Sequence, residues 1–411
     1  MNSVSGAPQN TETVDRTKIP RLGRFELIAR LVSIQILVIF AGMTLFTFSS
    51  FPPGAFERDW TMWHRAGSLW WEGRILEIYS ESFATGYPFI HPPYAIYLFA
   101  FFSLVPYHWV QLASMIGNMI TLGATLWCLR SVLRGSPEKY LTISLVTFAS
   151  APWLTVMITG QLSMLYLFLI AAGLWTWNSD RPFLTGVLWA GLAMKPNIVL
   201  PLVFCCVVSR QWQVLRGMAL CFVLFLASTI FMGIGVWQAM LSNMVKTTAL
   251  IRECPDLIWK HQTLYAFWSS LISSQLSREW VDAIWAFTTM GLFVVTMRAW
   301  WRGVTRERLP RLVGITTLFI VAGNTYLWFY DSLFIVIPGV VWFLSRLTYT
   351  SPSRHLLIGI LLTFSFFWQH LTLFWIKRGP SLTGGFLSLW LLIEAFDLEK
   401  EKTNPERFTS L

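Results

Sequence analysis

Leu27–Phe51 reads LIARLVSIQILVIFAGMTLFTFSSF, an apolar run interrupted by one charge, Arg30. A hydrocarbon core is crossed by roughly 20 apolar residues in helical form, so this run predicts a membrane-spanning helix. The rest of the chain has the same character. Of 411 residues, 55% are hydrophobic and only 13% are charged, and the mean hydropathy is +0.55. These values predict an all-α polytopic membrane protein with about ten to thirteen transmembrane helices, some of them short or re-entrant. An aromatic share of 16%, with 23 tryptophans, suits many membrane–water boundaries.

The net charge of +10 does not point to nucleic acid, because Lys and Arg sit in short clusters between apolar runs, as in cytoplasmic loops. The cysteines (Cys128, Cys205, Cys206, Cys221, Cys254) show neither metal-ligand spacing nor a disulfide framework. No cleavable signal peptide is expected, since the start is polar and basic and the first apolar run is too long.

Working outward from Leu27–Phe51, residues 1–24 form a polar, basic tail expected to be disordered and cytoplasmic. The domain proper is expected over 25–396, with a second cytoplasmic tail over 397–411. Beyond the first span lies a polar, aromatic-rich outer loop, 51–107, with helical pieces around Trp60–Glu72 and a short or re-entrant helix over Ala95–Val105. Later spans alternate so that Arg130, Arg134 and the cluster Arg298, Arg302, Arg306, Arg308 and Arg311 fall inside. Lys195-Pro196-Asn197 interrupts the apolar run Gly186–Val208, where proline removes a donor and disfavours helix at the residue before it. A second outer polar loop is expected over 238–262, carrying Arg252, Lys260 and His261. No internal repeat is evident, which weighs against inverted-repeat transporters.

One face thus collects Asp59, Gln161, Lys195, the Arg252–His261 loop and Asp331, while the other collects arginines. A carboxylate among cations at a membrane lip suits one chemistry. Asp59 takes the proton of an acceptor hydroxyl, and basic groups hold an anionic leaving group such as a phosphate. Structural readings stand beside the functional ones. Asp59 can pair with Arg58 or Arg65 at a helix start; Lys195 can snorkel; Gln161 can cap a helix; Asp331 can partner a nearby cation. His64, His91 and His261 make no metal motif, and no nucleotide-binding loop appears. No metal or other cofactor is expected; a divalent ion held by Asp59 with Asp331 is conceivable but has no motif behind it.

Several stretches resemble glycosyltransferase family 87. Arg58-Asp59-Trp60 with Gly73 and Tyr79 is similar to its D-F-x-x-Y-x-x-A … G-x-x-x-Y loop, and Pro92-Pro93-Tyr94 to its Y-P-P segment. Gly160-Gln161-Leu162-Ser163 resembles G-Q-x-N, and Gly191 to Pro196 with Arg210 to Trp212 resembles G-L-A-x-x-K-P … R-x-W. Tyr330-Asp331 stands where many members have Y-D. Ser163 departs from the family's Asn, and Asn324-Thr325 from a common Ser-Pro. The resemblance runs from about Arg24 to Leu347 and implies a C-type glycosyltransferase fold with an outer-face active-site loop. It further implies a polyprenyl-phosphate sugar donor and an inverting transfer with Asp59 as base. Donor phosphate or sugar would be lined by Lys195, Gln161, Tyr330, Asp331, His91, Arg252 and His261. Arg58, Trp60, His64, Arg65, Tyr79 and Tyr94 would support the loop or the acceptor.

The expected function is therefore transfer of a sugar, mannose first, to a lipid or glycan acceptor at the extracytoplasmic face of the plasma membrane. Its partners are the donor, the acceptor and membrane lipids, with no nucleic acid. A transporter or flippase of lipid-linked sugars is the alternative; it calls for related halves and charges along the whole path. A polysaccharide ligase or polymerase calls for a larger outer loop.

Overall fold

A computed structural model of the chain describes residues 24–50, 59–80, 89–133, 135–253, 258, 260–325, 327–344, 352–374 and 381–401. Arg58, Tyr87, Pro88, Cys254, Lys377 and Arg378 lie outside these residues, and the Arg252 side chain is likewise not described. Among the described residues the chain is helical with no sheet, and an isolated bridge pairs His261 with Trp328.

The helices in order are α1 (Arg24–Ser50), α2 (Asp59–Trp71), α3 (Ile96–Phe102), α4 (Tyr107–Val132), α5 (Pro137–Phe148) and α6 (Ala151–Thr159). Then come α7 (Ser163–Asn178), α8 (Pro182–Ala190), α9 (Pro196–Val208), α10 (Trp212–Ser228), α11 (Ile234–Glu253) and α12 (Leu264–Ile272). The last are α13 (Arg278–Trp301), α14 (Leu309–Gly323), α15 (Val336–Leu344), α16 (Pro352–Phe374) and α17 (Thr383–Glu401). Short 3-10 turns at Ile75–Tyr79, Gly191–Met194 and Phe329–Ile335 link some of them. By length and composition, α4, Trp212–Met232 and α13 can each cross a membrane, and α5 with α6 adds a fourth as one span bent by 57°. Large apolar side chains such as Ile120, Val223 and Phe287 are exposed on these helices, as a hydrocarbon solvent permits.

Proline and glycine set the breaks. Ser150 caps α6 by accepting from the Trp153 N–H, and Pro152 occupies the first turn, where a missing donor costs nothing. Gly160, at φ 75°, then ends α6 in the left-handed region that other residues avoid. The Lys195-Pro196 break appears as expected. Lys195 is extended at φ −136° and ψ 86°, between the Gly191–Met194 turn and α9.

Three expectations are corrected. The polar stretch 238–262 is mostly helix, because α11 continues to Glu253. Its buried residues Val236, Met240, Asn243 and Thr247 recur at helical spacing, while Gln238, Ser242 and Lys246 repeat on the exposed face. α17 runs past Phe396 to Glu401, and Asp397, expected to begin a tail, is fully buried. Arg311, grouped with the solvated arginines, is also buried. It donates to Glu394 and Asp397 at 2.9 Å each, and Arg354 reaches Asp397 at 3.1 Å. A buried guanidinium is tolerable only with such partners, and these acids arrive from a helix more than 80 residues later.

Two hydrophobic cores result. The larger lies within the helix bundle. The smaller joins Trp63, Ala66 and Leu69 of α2 to Ile78 and Tyr79, to Ile96 and Phe99 of α3, and to Val236 and Met240 of α11. The regions read as two outer loops are therefore one packed helical cap. Asn243 fastens it, donating to the carbonyls of Tyr79 at 2.7 Å and Phe89 at 3.1 Å. Gly67 lets α2 lie directly on α3: a β-carbon there would come within 2.1 Å of the Phe99 carbonyl oxygen.

Candidate active site

Asp59 is the first residue of α2, a position where the helix dipole favours negative charge. It is half-buried, and Gln161 Nε2 donates to its Oδ2. Gln161 lies in the tight junction between α6 and α7 that Gly160 makes possible, and the Trp60 side chain packs on Gly160. Two residues on, Ser163 begins α7 and donates to Asp331 Oδ1 at 2.8 Å. A single motif thus touches both carboxylates singled out from the sequence.

Asp331 has no exposed surface. Lys195 Nζ lies 2.5 Å from its Oδ2, and the Trp328 N–H approaches the same oxygen at 3.4 Å. Asp331, expected to line donor phosphate or sugar, thus accepts from Ser163 and the Trp328 N–H and holds Lys195 in place. Among the described residues no three His, Cys, Asp or Glu side chains gather as a metal site. Lys195 is about a quarter exposed and its ammonium lies 5.7 Å from the centre of the Tyr330 ring.

The turn before Lys195 is held from the cap. Tyr94 donates to the Ala193 carbonyl at 2.7 Å, His91 Nδ1 lies 3.4 Å from the Met194 carbonyl, and Tyr79 donates to the His91 carbonyl at 2.7 Å. On the other side, Asn197 donates to Asn324 at 2.7 Å, tying the start of α9 to the end of α14. The departure Asn324 is therefore a working contact, and so is Ser163. Sequence reasoning chose neither as a site residue, because the departure from the family pattern was their sole signal.

Lys260, His261 and Gln262 complete the surround. The Gln262 N–H donates to the Leu327 carbonyl at 2.9 Å, laying this segment beside Trp328. Lys260 Nζ is 5.4 Å from the Trp328 ring centre and the His261 ring is 5.0 Å from it. Trp328 stacks in turn on Tyr330 at 6.2 Å. His261 is buried; desolvation, with the nearby Lys260 and Lys195 charges, holds its imidazole neutral, down to about 3. His64 and Arg65 turn to scaffolding. His64 Nε2 lies 3.0 Å from the Val105 carbonyl, and Arg65 forms an exposed pair with Glu72 at 3.4 Å. Tyr166, one turn beyond Ser163 and electrostatically close to Asp331 and Tyr94, has a buried hydroxyl with no hydrogen-bond partner.

A cavity of about 300 Å³ borders the 3-10 segment that carries Asp331. Ser332, Leu333 and Val336 line it together with Ile28, Ile143 and Phe366, and its walls are overwhelmingly apolar.

The helical bundle of this polytopic membrane protein thus carries a half-buried carboxylate, a tethered lysine and an apolar cavity. The family model for glycosyltransferase family 87 matches residues 89–323, more than half of the chain, and the protein belongs to that family. It is a glycosyltransferase. The matched span contains His91, Gln161, Ser163, Lys195 and His261; Asp59 and Asp331 lie outside it but are bonded to residues within it. No curated protein matches the chain significantly.

Proposed function

We propose that the protein moves a mannosyl unit from a polyprenyl-phosphate donor to a hydroxyl of a lipid or glycan acceptor at the extracytoplasmic face of the plasma membrane. The observation that carries this reading is the Asp59–Gln161 contact two residues from the Ser163–Asp331–Lys195 cluster. It links a half-buried base, through the Gln161–Ser163 turn, to a lysine held by Asp331. The acceptor oxygen attacks the anomeric carbon as its proton passes to Asp59. The bond from that carbon to the phosphate oxygen breaks, and polyprenyl phosphate leaves with the electron pair while the configuration inverts. Lys195, already tethered through Asp331, offers its remaining N–H groups to the phosphate without reorganising. The apolar cavity beside the Asp331 segment suits a hydrocarbon chain, and ligand pockets of ~300–1,000 Å³ are usual for such groups.

The test is transfer by the full chain in lipid nanodiscs, using labelled polyprenyl-phosphate mannose and a lipid extract as acceptor. Wild type should yield a labelled product, and Asp59→Asn should lower the rate by roughly 100-fold or more, the usual contribution of a positioned base. Equal rates would remove Asp59 from the chemistry.

A further inference from the structure

α11 has three faces. At about 100° per residue, the buried Val236, Met240, Asn243 and Thr247 fall on one arc, against the cap. Gln238, Ser242 and Lys246 fall on a second arc, which is exposed. The third is apolar and exposed as well. Ile234, Leu241 and Val245 on it are 73%, 55% and 71% exposed, with the half-buried Trp237 and Met244 beside them. Thr248 also falls there, with its hydroxyl donating to the Met244 carbonyl at 2.8 Å, and from Ile234 to Thr248 no charged residue interrupts the arc. A contiguous apolar surface of this kind marks a contact with another apolar phase.

The position of α11 in the chain shows which phase. It follows the span Trp212–Met232 after a single residue, Gly233, whose φ of 79° turns the chain. That span has 21 residues, matching the roughly 20 that cross a hydrocarbon core, so α11 starts at a boundary of the membrane. The exposed apolar side chains of the span, Val223, Leu226, Ile230 and Phe231, run up to the turn, and the arc of α11 continues them. α11 is itself too polar to cross, with Gln238, Ser242, Asn243 and Lys246 along its middle.

We propose that α11 is an interfacial helix whose partner is the lipid surface, with Ile234, Leu241 and Val245 in the boundary between headgroups and acyl chains and with Gln238, Ser242 and Lys246 toward water. Seated there, it sets the height of the cap above the bilayer. Asn243 holds the carbonyls of Tyr79 and Phe89, and Tyr79 in turn holds the His91 carbonyl. His91 and Tyr94 reach the Met194 and Ala193 carbonyls, in the turn before Lys195. The lipid surface is thereby linked to the position of Lys195. That link rests on the transferase reading for its use, whereas the seating of α11 does not.

The experiment is a nitroxide scan of the full chain in lipid nanodiscs. Single cysteines replace Ile234, Leu241 and Val245 on the apolar arc and Gln238, Ser242 and Lys246 on the polar one. Cys221 and Cys254 are changed to serine, and the buried Cys128, Cys205 and Cys206 stay. Collisions with oxygen, which partitions into lipid, should dominate at the first three positions. Collisions with a nickel chelate, which stays in water, should dominate at the other three. Leu241→Asp together with Val245→Asp should slow transfer about tenfold, since two charges at the acyl boundary lift the helix. Gln238→Asp together with Ser242→Asp, the same charge on the wet arc, should leave the rate unchanged. Melting curves check both pairs, and the scan stands without either.

Nickel-dominated collisions at all six positions would place the helix in water and overturn the seating. Suppression of both collisions at Ile234, Leu241 and Val245 would overturn it too, because protein would then cover the arc. Equal transfer by the two aspartate pairs would break the link to Lys195. The expected scan without transfer from any donor would remove the transferase reading and leave α11 in the interface.

Discussion

Removing Lys195 should cost far more stability than removing its partner Asp331. In Lys195→Met the Asp331 carboxylate keeps Ser163 Oγ at 2.8 Å and the Trp328 N–H at 3.4 Å but loses its counter-charge where it has no exposed surface. Breaking a buried pair in that way costs ~3–5 kcal/mol. In Asp331→Asn the remaining lysine is 23% exposed and lies over the Tyr330 ring, so water and the π face can still accommodate it. The amide oxygen can still accept from Ser163, which puts that loss at ~1–2 kcal/mol. The double variant has no unpaired buried charge and should be no worse than Lys195→Met alone, at least ~1–2 kcal/mol better than the sum of the singles. Equilibrium unfolding of the four proteins in one mixed micelle, titrated with a denaturing detergent, measures the cycle. A lysine variant that loses under ~1 kcal/mol, or singles that add to within ~0.5 kcal/mol, would refute a buried, coupled pair.

Gln161→Leu should slow transfer roughly 10- to 150-fold, the equivalent of a ~1.5–3 kcal/mol hydrogen bond to a charged group, with little change in unfolding. Steady-state rates beside a melting curve separate these effects. Gly67→Val should destabilise the cap by at least ~3 kcal/mol and abolish transfer, because its side chain would strike the Phe99 carbonyl and push α2, with Asp59, off α3; limited proteolysis between α2 and α3 would report it. His261 also gives a pH signature. The folded imidazole titrates near 3 and an unfolded one near 6.5. As pH falls from 6.5 toward 4, the unfolded chain gains a proton that the folded chain refuses, and stability drops by up to ~1.4 kcal/mol per unit from this residue. His261→Phe should flatten that part of the acid limb of the melting temperature.

Several polar residues singled out from the sequence are brought into contact by the fold. Asp59 was singled out in a polar loop, Gln161 and Asp331 where apolar runs end, and Lys195 inside one, and the structure joins them in two linked contacts. The role of Asp331 was not legible, because burial and the occupancy of its oxygens depend on Ser163 and Trp328 arriving from distant parts of the chain. Nor were Ser163 and Asn324 visible as contacts, since short polar residues near helix ends have many local uses. The stretch 238–262 was misread for a related reason. Its polarity was averaged along the sequence, whereas the buried face of Val236, Met240, Asn243 and Thr247 emerges only against the α2–α3 cap.

Composition and hydrophobic patterning set the solvent and the secondary structure. Long apolar runs can satisfy their backbone in hydrocarbon only as helices, and proline and glycine mark where those helices must break. The sequence also carried the family, because the motifs at the breaks lie in order along the chain. Which charges serve the fold emerges only from the packing of distant helices. Arg311 with Glu394 and Asp397, and Lys195 with Asp331, look in sequence like any other ionisable residues. Burial and partners more than 80 residues away make them pairs, and the cost of an unpaired buried charge holds them there.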